Sequence, residues 1–418
     1  MGTSAGSARP AYDLLLKGGH VVDPKNSISR SMDVAIRDGR IAAVQPEIAT
    51  ALAAQTVDVS GLYVTPGLID MHVHLDPCFY VGGIVADGQS FSSGITTFVD
   101  AGSSGAANFG EFKARVIERS KTRVLAFLNI VEAGMLGVVE QDVWRMRPAI
   151  AAGVVRAYPD LLVGIKTAHY WTHQPYDEGH QPWDAVDRGV EAGVLCDKPL
   201  MVDFWPRPER PYEDLILKKL RPGDIHTHVF GQQFPIILEN GQVNPALFEA
   251  QQRGIIFDVG HGGGSFWFRN AVPAVRQGFI PHSISTDLHT GNAANGLVTN
   301  LLNVMNKFLN MGLSVEDVIM RATVAPAREI GHPELGTLNV GAEADVAVFA
   351  LLRGRYGFID CGRAKMIGER KLSTMLTLRA GKVAYDPEGI TMPEWEQAPD
   401  SYWVCAQPTG AAPARRTV

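Results

Sequence analysis

The chain has 418 residues, of which 46% are hydrophobic and 20% charged, so it can bury a large core. A formal net charge of -6 without a long run of Lys or Arg excludes the electrostatic footprint of a nucleic-acid or anionic-membrane binder and leaves a small molecule as the expected partner. Cys78, Cys196, Cys361 and Cys405 are scattered with no C-x-x-C pair, which argues against a disulfide framework or a thiolate metal site and for a reducing compartment. Met1 to Pro10 lacks the basic start and apolar run of a secretory signal, and no apolar stretch is long enough for a bilayer, so the cytoplasm is the expected location.

From Tyr12 to Tyr63 the pattern is short and β-like, "DLLLKGGHVVDP", "DVAIRDGRIAAVQP" and "QTVDVSGLYVTPG", each apolar run ended by Gly, Pro, Asp or Asn. "GTLNVGAEADVAVFAL" and "STMLTLRAGKVAYDP" near the other end have the same texture. The expectation is a composite β-sandwich of residues 1–62 and 336–418, interrupted by residues 63–335. Between those limits short apolar strands alternate with amphipathic stretches, the pattern of repeated β-α units. The candidate strands are "GLIDMHVH", "GITTFVDAG", "RVLAFLNIV", "LLVGIKT", "KPLMVDF", "DIHTHVF", "IIFDVGH" and "IPHSISTD". They predict an α/β fold with a (β/α)8 TIM barrel, whose functional groups gather at strand C-terminal ends, where the βα loops open.

The sharpest local signal is the first of these strands, which ends in His72 and His74. Residues i and i+2 of a strand share a face, so two imidazoles project together and form half of a metal site. Two core histidines satisfied by backbone are the plain alternative.

The context "VTPGLIDMHVH", followed far downstream by "STD", "ATVAPAREIG" and "GTLNVGAEADVAVF", resembles the amidohydrolase superfamily over nearly the whole chain. The order and texture are most similar to its deacetylase-type branch, often confused with dihydroorotases. The resemblance implies two divalent metals, zinc first, or possibly one, bridged by a carbamate formed from carbon dioxide and a lysine of the fourth strand. Lys166 matches that lysine, and desolvation at the end of a buried strand favours the neutral amine the carbamate needs. A plain ion pair with Asp203 is the alternative. Asp287 in "ISTDLH" matches the aspartate that binds a metal and shuttles the proton, although "STD" also opens loops as a cap. His228 in "DIHTHVF" matches a further ligand, and His226 is either a second ligand or a support.

Asp203 stands where the family pattern has a histidine. It is a ligand, or His226 compensates, or the second metal is weak; the reading adopted is Asp203 as ligand. His261 in "FDVGHGGGSFWF" resembles a substrate-contacting histidine of the deacetylase-type relatives, while the glycines after it fit an ordinary flexible turn. The loop "AHYWTHQPYDEGHQPW" has the composition of a pocket wall or lid, and His169 and Tyr170 within it join His261 and His289 as expected substrate contacts.

The implied reaction is hydrolysis of an amide, cyclic amide or ester by a metal-activated hydroxide, with Asp287 as general base and then acid. Dihydroorotases carry an arginine two positions after the second histidine to grip a carboxylate; here that residue is Asp76. Deacylation of an N-acyl or O-acyl small molecule is therefore preferred over a hydantoinase-like activity. A metal-free barrel serving as a binding subunit, or a metal-assisted lyase, is the competing class. A homo-oligomer is expected, since such association is common among relatives of this kind and symmetric association is the usual case.

Overall fold

Leu14, Leu15 and Leu16 are consecutive and all buried, which a strand achieves only when both of its faces are covered. Leu14 and Leu16 join one apolar cluster, and Leu15 joins another with Ala35, Ala43 and Ile48. Their strand, Tyr12–Asp23, lies inside an eight-stranded sheet in this computed structural model, which describes residues 9–76 and 82–399. Both ends of the chain contribute to it. Tyr12–Asp23, Ile28–Arg37, Arg40–Gln45, Ala53–Asp58 and Tyr63–Pro66 come from one end; Val346–Ile359, Lys365–Arg379 and Lys382–Tyr385 come from the other. The two sets meet where Tyr63–Pro66 runs antiparallel to Val346–Phe349, with Val64 opposite Val348. Cys196 and Cys361 are free thiols; Cys78 and Cys405 lie outside the described residues.

The second sheet has seven parallel strands in chain order: Leu68–Val73, Ile95–Gly105, Arg123–Asn129, Leu162–His169, Leu200–Phe204, Ile225–His226 and Ile256–Phe257. Each overlaps its sequence-expected segment; the second and fourth run on beyond it, to Gly105 and His169. The intervening helices turn an apolar stripe to the sheet: in Asp184–Cys196 the buried positions are Ala185, Val186, Gly189, Ala192, Gly193 and Cys196, spaced for one helical face. Asp197, at φ 53°, ends that helix in the left-handed region.

The eighth expected strand is a correction in detail. Residues 280–287 form no continuous strand; Ser283 makes a single parallel bridge to Asp258 of the seventh strand's extension, and Leu288 one to Val73 of the first. The reason is competition from side chains. The Thr286 N–H donates to Asp70 Oδ1 (3.1 Å) and the Gly260 N–H to Ser285 Oγ (2.9 Å), so groups that would continue a ladder are taken. The segment is nonetheless tied to both edges of the sheet, through Asp287 N to His72 O (2.7 Å) on one side and Gly262 N to Thr286 O (2.9 Å) on the other. No helix among the described residues is long and apolar enough to cross a membrane.

Candidate metal centre

His72 and His74 leave the C-terminal end of the first parallel strand with ring centroids 5.5 Å apart. Lys166 comes from the fourth strand, Asp203 from the fifth, His228 follows the sixth and Asp287 follows Thr286. All six sequence-expected ligands therefore meet at one end of the sheet. Two overlapping groups, His72 with Asp203 and His228, and His72 with His74 and Asp287, each bring three donor atoms within 4.8 Å of one another.

Hydrogen bonds at Nδ1 decide what each imidazole presents. Thr227 donates its hydroxyl to Asp258 Oδ2 (2.8 Å), so its oxygen accepts from His72 Nδ1 (2.9 Å). His228 Nδ1 donates to the Gly260 carbonyl, which can only accept, and His74 Nδ1 meets Ser103 Oγ at 3.1 Å. A proton on Nδ1 leaves the Nε2 lone pair facing inward, the tautomer a metal ligand needs. His228 Nε2 lies 2.9 Å from Asp203 Oδ1, yet that oxygen has no hydrogen-bond partner of acceptable geometry. Two acceptors held face to face in this way call for a cation or a proton between them.

Burial opposes charge on His228, but Asp203 against it outweighs that and raises its pKa to about 9. Burial likewise works against the Asp203 and Asp287 carboxylates; His228 and Lys166 hold the first, and His72, His74 and His228 the second, below the ordinary carboxylate range. Asp287 Oδ1 is 3.1 Å from His74 Nε2 and 3.5 Å from His72 Nε2. Lys166 Nζ stands 3.1 Å from Asp203 Oδ2 and 3.4 Å from His72 Nε2, so the ion pair weighed as its alternative role is present.

The backbone is strained where the ligands sit. His228 and Asp287 have φ of 62° and 49°, left-handed values that L-residues avoid at a cost of roughly 1–3 kcal/mol each. Gly262, at φ 56°, lies so close that a Cβ there would stand 2.5 Å from Asp287 Oδ2. Gly262→Ala is thus expected to lose about 1–3 kcal/mol of stability and to weaken metal binding about 10-fold or more. Thermal melts and metal titration of the purified variant check this; wild-type affinity would refute the close-packing account.

The remaining sequence-expected residues divide. His226 Nε2 bonds Tyr212 Oη at 3.0 Å and belongs to neither donor group, which is the support role of its two alternatives. His261 is fully buried, with one ring nitrogen on Gly262 O (3.0 Å) and the other on Lys307 Nζ (2.6 Å). His289 caps the Thr290–Ala294 turn by accepting from Gly291 N at 3.1 Å. Arg210, wholly buried, donates to His169 Nδ1 (3.0 Å), so His169 Nε2 carries the proton it gives to His180 Nε2 (2.7 Å), whose ring stacks on Trp171 at 3.8 Å. The Tyr170 carbonyl accepts from the same Arg210. Loop 169–183 is therefore braced from within. Asp76 pairs with Arg115, whose Nε lies 3.1 Å from Asp76 Oδ2.

Sequence reasoning passed over the residues that hold the ligands: Asp70, Asp100, Asp258 and the intervening Thr227. A signal existed, because "GLIDMHVH", "GITTFVDAG" and "IIFDVGH" each carry one acid inside an apolar strand, where an unpartnered carboxylate is untenable. Asp70 accepts from Thr286 Oγ1 at 2.6 Å; Asp100 accepts from the N–H groups of Leu75 (2.9 Å) and Ser103 (2.7 Å).

The parallel sheet brings histidine and carboxylate donors together beyond its strand C-terminal ends, an α/β arrangement that could hold a metal ion. No protein-family model matches the chain. A deacetylase of Enterococcus faecalis is 31% identical over 382 residues, 90% of this chain and 99% of that protein. A deacetylase of Agrobacterium fabrum is 33% identical over 340 residues, 78% of this chain and 80% of that one. The solved structure of an adenine deaminase matches with a TM-score of 0.82 at 28% identity, over 90% of this chain and 100% of its own. The chain belongs to the amidohydrolase superfamily, in its deacetylase-type branch.

Proposed function

We propose that this protein is a metal-dependent hydrolase that removes the acyl group from an N-acyl or O-acyl small molecule. One observation carries the reading: His72 and His228 are each committed at Nδ1, so that their Nε2 atoms converge with the Asp203 and Asp287 carboxylates. Neutral imidazole and carboxylate donors suit zinc and similar divalent ions, and the orphaned Asp203 Oδ1 supports that fit. Divalent ions held by His72, His74, Asp203, His228 and Asp287, with Lys166 contributing if it is carboxylated, would supply Lewis acidity toward water and the acyl carbonyl.

The chain's own groups do the rest. Asp287 takes a proton from the attacking water and returns it to the leaving nitrogen or oxygen. The Asp258–Thr227 pair keeps His72 in its tautomer, and Ser103 holds His74. In this reading loop 169–183, with His169 and Tyr170, would form one wall of the substrate pocket and His289 another. Asp76, engaged by Arg115, offers no guanidinium to a substrate carboxylate, which weighs against dihydroorotase chemistry. In this reading the parallel sheet closes into a barrel through residues 283–288, and the end-derived sheet packs as a sandwich.

The test is elemental analysis of the purified protein together with turnover of a panel of acetyl esters and acetamides. About two zinc ions per chain, as a binuclear site requires, with release of acetate is the expected result. A ratio near zero, with metal supplied during expression, would sink the metal reading.

A further inference from the structure

Helix Leu301–Met311 buries Lys307 completely. Its amine donates to Leu297 O (3.2 Å) and to His261 Nε2 (2.6 Å), and it stands 5.6 Å from the centre of the Phe266 ring. Among the described residues no carboxylate lies within ion-pair distance of it. A buried ammonium without a carboxylate is costly. The groups facing it from other elements are His261, Cys361 and Asp360; burial, the strongest influence, pushes its pKa down to about 7 while Cys361 and Asp360 oppose the change.

The contacts beyond Lys307 lead to the metal centre. The Gly262 carbonyl can only accept, so His261 Nδ1 carries the proton it gives to Gly262 O at 3.0 Å, and His261 Nε2 accepts from the Lys307 amine, which has an N–H to donate whether charged or neutral. The ring is clamped flat against Phe266, at 4.5 Å and 16°. Gly262 in turn packs against Asp287 Oδ2, with no room for even a methyl group between them, and its N–H bonds Thr286 O at 2.9 Å. The contacts thus run without a break from Lys307 through His261 and Gly262 to Asp287.

We propose that Lys307 is a positioning residue: acting through His261 and the Gly262 carbonyl, it seats the Asp287 carboxylate for metal binding and proton transfer. This rests on the reading of Asp287 given above. It also gives His261 a structural task in place of the substrate contact expected from sequence.

The experiment compares wild type, Lys307→Met and Lys307→Arg, using Co²⁺ as the metal probe and 4-nitrophenyl acetate as the substrate probe. In metal-free, ¹⁵N-histidine-labelled protein, His261, assigned with a His261→Gln variant, is expected as the Nδ1–H tautomer in wild type and as a mixture in Lys307→Met. Loss of a group that orients a ligand lowers metal affinity or activity about 10- to 100-fold, so Lys307→Met is expected to bind Co²⁺ at least about 10-fold more weakly and to lose kcat rather than raise KM. Lys307→Arg, which keeps a donor, should recover much of both and report for Lys307→Met if that variant fails to fold. An unchanged tautomer, or a changed tautomer with wild-type Co²⁺ affinity, overturns the proposal. Absence of ester turnover by wild type instead counts against the deacylase reading, and the tautomer and Co²⁺ affinity still decide the role of Lys307.

Discussion

Replacing Asp287 with Asn is expected to lower kcat for deacylation by about 10³-fold, within the range that loss of a positioned proton carrier produces. Asn keeps the size of the side chain, so the contact with Gly262 and the left-handed backbone at φ 49° are not disturbed. What it loses is the charge that faces His74 at 3.1 Å and His72 at 3.5 Å, and the ability to hold a proton between water and leaving group. KM should move little, because the carboxylate acts on the reacting atoms. Steady-state kinetics with a wild-type melting temperature as control make the measurement. Activity within about tenfold of wild type would assign proton transfer to another group.

Asp203→Ala should do the opposite kind of damage, to the resting protein. Asp203 is the counter-charge for Lys166 at 3.1 Å and for His228 at 2.9 Å, all of them buried. Removing one partner from such a set leaves uncompensated charge and costs about 3–5 kcal/mol. Denaturant unfolding of chelator-treated protein should show that loss, and elemental analysis should show a lower metal-to-chain ratio. Asp203→His separates the two effects: an imidazole can ligate but cannot neutralise Lys166, so metal content should recover while metal-free stability stays low. Full metal content in Asp203→Ala would remove Asp203 from the ligand set.

Much of this centre was legible in the sequence because its donors lie at predictable places. His72 and His74 share a strand face by simple alternation, and the family resemblance points to Lys166 and Asp203 toward the C-terminal ends of their strands and to His228 just past the sixth. The residues that hold those donors were less visible. Thr227 reads as a neutral spacer between two histidines until Asp258, on the next strand, shows that its hydroxyl is committed. Lys307 reads as the polar position of an amphipathic helix, and nothing local says that its amine meets His261, 46 residues earlier. The segment 280–287 reads as a strand by apolarity, whereas Ser283, Ser285 and Thr286 turn their hydroxyls to Asp258 and Asp70 and interrupt the ladder. Such bonds depend on which elements become neighbours, and periodicity alone does not carry that information.

That same segment sets a timetable. Asp287 donates its N–H to His72 O, and Thr286 reaches Asp70, 216 residues earlier in the chain. During synthesis at roughly 5–20 residues per second, the first strand therefore waits on the order of 10–40 s for the partner that covers its edge. For that interval its histidines face no Asp287 and its edge hydrogen bonds are open, the condition in which a strand pairs wrongly. Premature termination before residue 280 would release a chain with both of those deficits at once, and such fragments are expected to aggregate instead of persisting as partly active enzyme.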